Sequence, residues 1–250
     1  MASIKKAISF GLVNIPVELN TVVINNDTSF NQLHKKCGSR IKYQKICPNC
    51  NIEVKNQDIV KAYEYTADKY ITFSDEDFDK LKLSNKEPIE IVSFINLDDI
   101  DPIFLEKSYY LTTKTNKAFE LFKEALKKEN KVALAKTVIG TKFYYVILRL
   151  ENNNFILNTL YFEEEINIED ENKTDIKFKK EEIDMAIKLI QAMSGKFEPQ
   201  KYKDEYQDKI KKAIERKING KEIIKTKDKP KESVTDLMQA LKKSLKEVKK

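Results

Sequence analysis

Apolar and polar positions alternate with a period of two through most of the first 165 residues. After that the apolar period lengthens to that of an α-helix. ISFGLVNIPVEL (residues 8–19) and NTVVIN (20–25) are rich in β-branched residues and predict strands, with Pro16 breaking the run. RIKYQKI (40–46) places Ile41 and Tyr43 on one side and Arg40, Lys42 and Gln44 on the other. IEIVSFINL (89–97), KSYYLTT (107–113), VALAKTVIG (132–140), KFYYVILRL (142–150) and NFILNTLYF (154–162) follow as further strands. Gly140 turns the chain before the last pair, and the polar run from Glu151 to Asn154 closes a hairpin between them. Short strands at this density, many of them adjacent in sequence, predict a barrel or a sandwich.

Two helices interrupt the strands. Ser74 and Asp77 form a capping-box pattern ahead of a short helix over 74–83. Residues 116–129 bring Phe119, Phe122 and Leu126 onto one stripe, with Leu121 and Ala125 beside it. Beyond about residue 175 the helical period dominates. Ile183, Ile187, Ile190 and Met193 share a face that stops at Gly195, and Tyr202, Tyr206, Ile210, Ile214 and Ile218 recur every four residues before Asn219-Gly220. That second stripe must bury against this chain's own strands or against another copy. Residues 221–232 read as a flexible basic linker. Residues 233–250 form an amphipathic helix capped at Ser233, with Leu237, Leu241, Leu245 and Val248 in line. So short a helix is marginal alone, so it frays or awaits a partner groove.

The expected organisation is a strand-rich core over 1–174, a helical arm over 175–220, the linker over 221–232 and the terminal helix over 233–250. Charge sharpens this division. Residues 176–250 hold 22 Lys and Arg against 13 Asp and Glu, whereas the first 175 hold 24 against 27. A basic extension on a near-neutral body suits nucleic acid or another anionic surface. No apolar run is long enough to span a membrane, and the first residues lack a signal-peptide pattern, so a cytoplasmic protein is expected.

The only histidine and all three cysteines fall within residues 34–50, as His34-x2-Cys37-x9-Cys47-x2-Cys50. Two x2 pairs supply four soft donors, the set that closes a tetrahedral structural zinc site. An odd cysteine count argues against a disulfide framework. The expectation is a small zinc-ribbon-like segment over 30–60, with Zn²⁺ supplying folding free energy rather than catalysis. Lys35, Lys36, Arg40, Lys42 and Lys45 lie among the ligands and would be displayed for phosphate contact. A ribbon of this kind could also act alone, as a nucleic-acid module of transcription or RNA metabolism.

The five glycines are too sparse for a phosphate-cradling loop. His34 is consumed by the metal reading, so no Ser-His-Asp or Cys-His arrangement remains. The acidic runs at residues 98–101 and 163–165 read as turn caps. No active site emerges, although one of the many lysines or the N-terminal amine could in principle form a Schiff base.

Several strings, in collinear order, carry a resemblance. ISFGLVNIPVEL, FNQLHKKCGSRIKYQKICPNC, DIVKAYEY, FSDEDFDKL, IEIVSFINLDDIDPIFLEKSYYL, MSGKFEPQKYKDEYQDKIKKAIERKINGKEI and VTDLMQALKKSL resemble the bacterial form of Ku. The resemblance implies an α+β, mainly β fold: a Ku-type β-barrel core, a C-terminal helical arm and the small zinc-ribbon-like insertion. It implies a homodimeric ring that threads double-stranded DNA ends, associates with the nucleoid and recruits a multidomain ATP-dependent DNA ligase for non-homologous end joining, without being an enzyme itself. It implies that the terminal helix contacts that ligase through Leu237, Met238, Leu241 and Leu245. Ile4-Lys5-Lys6 stands where the family often has Trp-x-Gly, and Ala62 where it often has Gly.

Overall fold

The computed structural model describes residues 3–81, 87–114, 116–167, 177–223 and 237–248. In chain order the strands are β1 (Ile4–Phe10), β2 (Val13–Thr21), β3 (Ile46–Cys47), β4 (Ile52–Glu53), β5 (Lys61–Thr66), β6 (Lys69–Phe73), β7 (Ile89–Ile95), β8 (Leu105–Thr112), β9 (Val132–Ile139), β10 (Lys142–Glu151) and β11 (Asn154–Leu160). The helices are α1 (Asp75–Leu81), α2 (Lys117–Glu129), α3 (Lys180–Met193), α4 (Glu205–Ile218) and α5 (Leu237–Val248). Two compact units result. One comprises Met1–Asn25 and Asn31–Ile168, the other Asn26–Phe30 and Glu169–Lys250. The division expected after residue 174 lies outside the described residues, as does most of the linker.

Seven strands of the first unit close into a barrel in the order β1-β2-β8-β11-β10-β9-β7, and closure removes the exposed sheet edges. Three hairpins build most of it. Phe10 pairs with Val13 around Gly11-Leu12, where φ of +57° at Gly11 suits a residue without Cβ. Ile139 pairs with Lys142, and Glu151 with Asn154. In the last turn Asn152 and Asn153 both have positive φ, the mirror-image turn that matches strand twist. The ring is completed by a short parallel pairing of β1 with β7, at Ile8–Ile89 and Ser9–Glu90.

Pro16 does not break the run, as expected from sequence, but sits inside β2 opposite Ala7. Its carbonyl accepts from the Thr113 hydroxyl at 2.7 Å, so its backbone polar atoms point toward β8, whose ladder begins only at Glu18–Thr112. The missing N–H therefore costs no ladder bond.

Alternate residues fill the barrel. Ile8, Ile15, Val17, Leu19, Ile89, Leu111, Val146, Leu148 and Leu157 are buried in a single cluster, and Ala133 and Ala135 leave room for them. Lys6 continues the inward row of β1. Its ammonium donates to the Glu87 carbonyl at 2.9 Å, and burial holds its pKa below the usual lysine value.

Helix α2 lays its apolar stripe onto this core. Phe119 packs edge-on against Phe155 at 5.3 Å, and Phe122 meets Phe10, Phe94 and Phe155 within 6.4 Å. Leu121, read beside the stripe, faces out. The Asn116 carboxamide caps the helix, accepting from the N–H groups of Ala118 and Phe119. Asn116→Ala is expected to lower stability by about 1 kcal/mol, measured by urea denaturation.

The strand expected over residues 40–46 is not formed. Only an isolated bridge between Leu33 and Arg40 and the two-residue β3 appear there, because no neighbouring strand offers a ladder or a core to face. In the second unit, α4 begins after the Asp204 cap, so Tyr202 stands outside the helix, stacked on Phe197 at 5.4 Å. The side chain of Gln207 accepts from the Thr28 hydroxyl at 2.9 Å, tying residues 26–30 to α4.

Candidate nucleic-acid interface

Between β2 and β5 the chain leaves the barrel, and residues 31–60 contain no buried residue. They fold as two successive knuckles. In the first, His34 N–H donates to the Ser39 carbonyl and Gly38 N–H to the His34 carbonyl, each at 2.8 Å. Gly38 takes φ of +69° to make that turn. The second is the β3–β4 hairpin, in which Asn51 N–H donates to the Cys47 carbonyl at 2.8 Å.

Each knuckle brings one predicted ligand pair together. His34 Nδ1 lies 3.0 Å from Cys37 Sγ. Hydrogen bonds from Ser39, then from His34, pull the Cys37 thiol down to about 7. Backbone N–H groups of Cys50 and Asn49, then the Cys50 thiol, hold Cys47 below its ordinary value. Both turns thus stabilise the thiolate, the form that binds metal. The donor chemistry fits zinc within each pair. The two pairs do not converge: among the described residues no three His, Cys, Asp or Glu side chains form a group that could hold a metal ion. The assembled ribbon expected from spacing is therefore not shown among the described residues.

The same knuckles carry the five predicted phosphate contacts, all exposed. Arg40 donates to the Asn31 side chain at 2.7 Å and Lys45 to that of Asn56 at 2.9 Å. Those acceptors are neutral, so the bonds restrain both side chains without setting an acidic group against them. Among the described residues none of Lys35, Lys36, Arg40, Lys42 or Lys45 forms an ion pair. Residues 31–60 carry six basic side chains against two acidic ones, Glu53 and Asp58. A segment with uncompensated positive charge and no core of its own is suited to a polyanion.

A neighbouring element escaped the sequence reading. The hairpin β5–β6 leaves Tyr63, Tyr65, Tyr70 and Ile71 exposed, while Lys61 Nζ lies 4.5 Å from the centroid of Phe78. Its signal was the alternation of Tyr63 and Tyr65 ahead of the turn at Ala67-Asp68, where Asp68 has φ of +60°. The acidic runs act as caps, as expected. Asp101 accepts from Ile103 N–H, and Asp99 and Glu165 accept from the N–H groups of Asn96 and Phe162. The capping box at Ser74 and Asp77 is also formed.

A closed seven-stranded barrel with a helix packed on its core and a basic, cysteine-bearing excursion defines the class: residues 9–185 match the Ku70/Ku80 β-barrel domain. The chain belongs to the Ku family. It is 41% identical to the non-homologous end joining protein Ku of Lachnoclostridium phytofermentans, over all of this chain and 98% of that protein. Identity is 37% to the Desulfitobacterium hafniense protein of the same name, covering 96% and 86% of the two chains, and 36% to that of Bacillus subtilis, covering 96% and 80%. No helix among the described residues is long and apolar enough to cross a membrane.

Proposed function

We propose that this chain binds double-stranded DNA ends as a homodimeric ring in non-homologous end joining, and that it recruits an ATP-dependent DNA ligase rather than joining ends itself. The observation that carries the reading is collinear similarity over essentially the whole chain to proteins named for that process. The physical chemistry supports it. A break can occur in any sequence, so an end binder must read phosphates rather than bases. The exposed cations at Lys35, Lys36, Arg40, Lys42 and Lys45 suit that task. Tyr206 and Ile218 on α4 stay exposed, and Ile210 and Ile214 are only half covered, so a symmetric second copy has apolar surface to bury. Structural zinc held by His34, Cys37, Cys47 and Cys50 would draw the two knuckles together and fix the cations between them.

Gel shifts on linear and covalently closed duplex of equal length, across a salt series, test the function. Retention on the linear form alone is expected. Log affinity should fall with log salt at a slope near 0.9 per phosphate contacted, and the slope should shrink when the five cations become alanine. Equal retention of both forms would remove end specificity.

A further inference from the structure

The second unit packs α5 against α3. On α5, Ala240, Leu241, Ser244 and Leu245 are half-buried while Gln239, Lys242, Lys243 and Lys246 are exposed. On α3, Met185, Ala186 and Leu189 are half-buried at i, i+1 and i+4, whereas Ile183, Ile187, Ile190 and Met193 stay exposed. The apolar stripe of α5 thus meets one face of α3 and leaves the more apolar face open.

Leu241 and Leu245 are the residues that would also enter a partner's groove. One stripe on a twelve-residue helix cannot occupy two grooves at once. We infer that α5 is a latch held in cis on α3, so that any external helix-binding partner must first compete with Met185 and Leu189. Helix α5 is too short to persist as a free helix, so release and recapture trade one groove for another. This cis contact does not depend on the proposed ligase; only its consequence for ligase recruitment rests on that reading.

Hydrogen exchange on the full-length chain tests the latch. Amides of residues 240–246 should be protected, and Leu189→Asp should raise their exchange at least tenfold while β9–β11 stay unchanged. Leu245→Asp, which leaves α3 intact, should do the same. Unprotected amides in the unaltered chain, or exchange unmoved by Leu245→Asp, would overturn the latch. Protection lost on dilution below the dimerisation range would also overturn it, because α5 would then be sitting on another copy. In a pull-down, Leu189→Asp should capture several-fold more ligase than the unaltered chain. If exchange responds and no ligase is captured by either, the latch stands and the ligase reading falls.

Discussion

Native mass spectrometry of protein purified without chelator is expected to show one zinc ion per chain, and Cys47→Ser with Cys50→Ser is expected to abolish it. The argument starts from what residues 31–60 lack. None is buried, and the hairpin β3–β4 is two residues per strand. A ladder that short is not stable in water, and no hydrophobic face supports it. The knuckles nevertheless prepare thiolates: Cys37 is held at about 7 by Ser39 and His34, and Cys47 is lowered by backbone N–H groups. Joining two such pairs through one ion would contribute on the order of 10 kcal/mol to a segment that has no other source. In the double variant, amide exchange over 31–60 should rise toward coil rates, since only short backbone turns and no buried core remain to order the segment. The melting temperature of the barrel should not move, because the segment shares no core residue with it. DNA affinity should fall at least tenfold, about 1.4 kcal/mol, as the cations lose their fixed spacing. An unaltered chain that purifies without metal and fails to take up added zinc would sink this expectation.

The second large effect lies at the junction of α2 with the barrel. Phe122 touches Phe10, Phe94 and Phe155, rings from β1, β7 and β11 that are far apart in sequence. Phe122→Ala is expected to cost on the order of 3–5 kcal/mol, since it removes buried area and leaves a void where three strands meet. At roughly 2–4 °C per kcal/mol for a chain of this size, Tm should fall by about 10 °C. Leu121→Ala, one residue away on the exposed side, should stay within about 0.5 kcal/mol. A comparable loss at both positions would mean that the buried face of α2 is wrongly assigned.

These positions also show how far the sequence reads. The hairpins β9–β10 and β10–β11 were legible, because Gly140 and Asn152-Asn153 impose turns that only a few residues tolerate. The α2 stripe and the capping boxes were legible for the same local reason. The ligand pairs were legible as pairs, since two intervening residues close a knuckle by backbone hydrogen bonds alone. Residues 40–46 alternate like a strand but have nothing to pair with, and alternation without a partner is not a strand. The β5–β6 hairpin was missed because its tyrosines lie on exposed surface rather than in a core.

What the sequence determined by itself was set within one turn of helix or one hairpin of the core: the barrel strands with their turns, the stripes, the caps, the two donor pairs and the uneven spread of charge. What only the tertiary structure decided was which surfaces meet. The parallel closure of β1 on β7, the harmless place of Pro16 beyond the end of the β2–β8 ladder, and the packing of α5 on α3 all depend on residues distant along the chain. Their pairing is selected by the burial available after the loops have closed, and a local pattern of side chains carries no record of that.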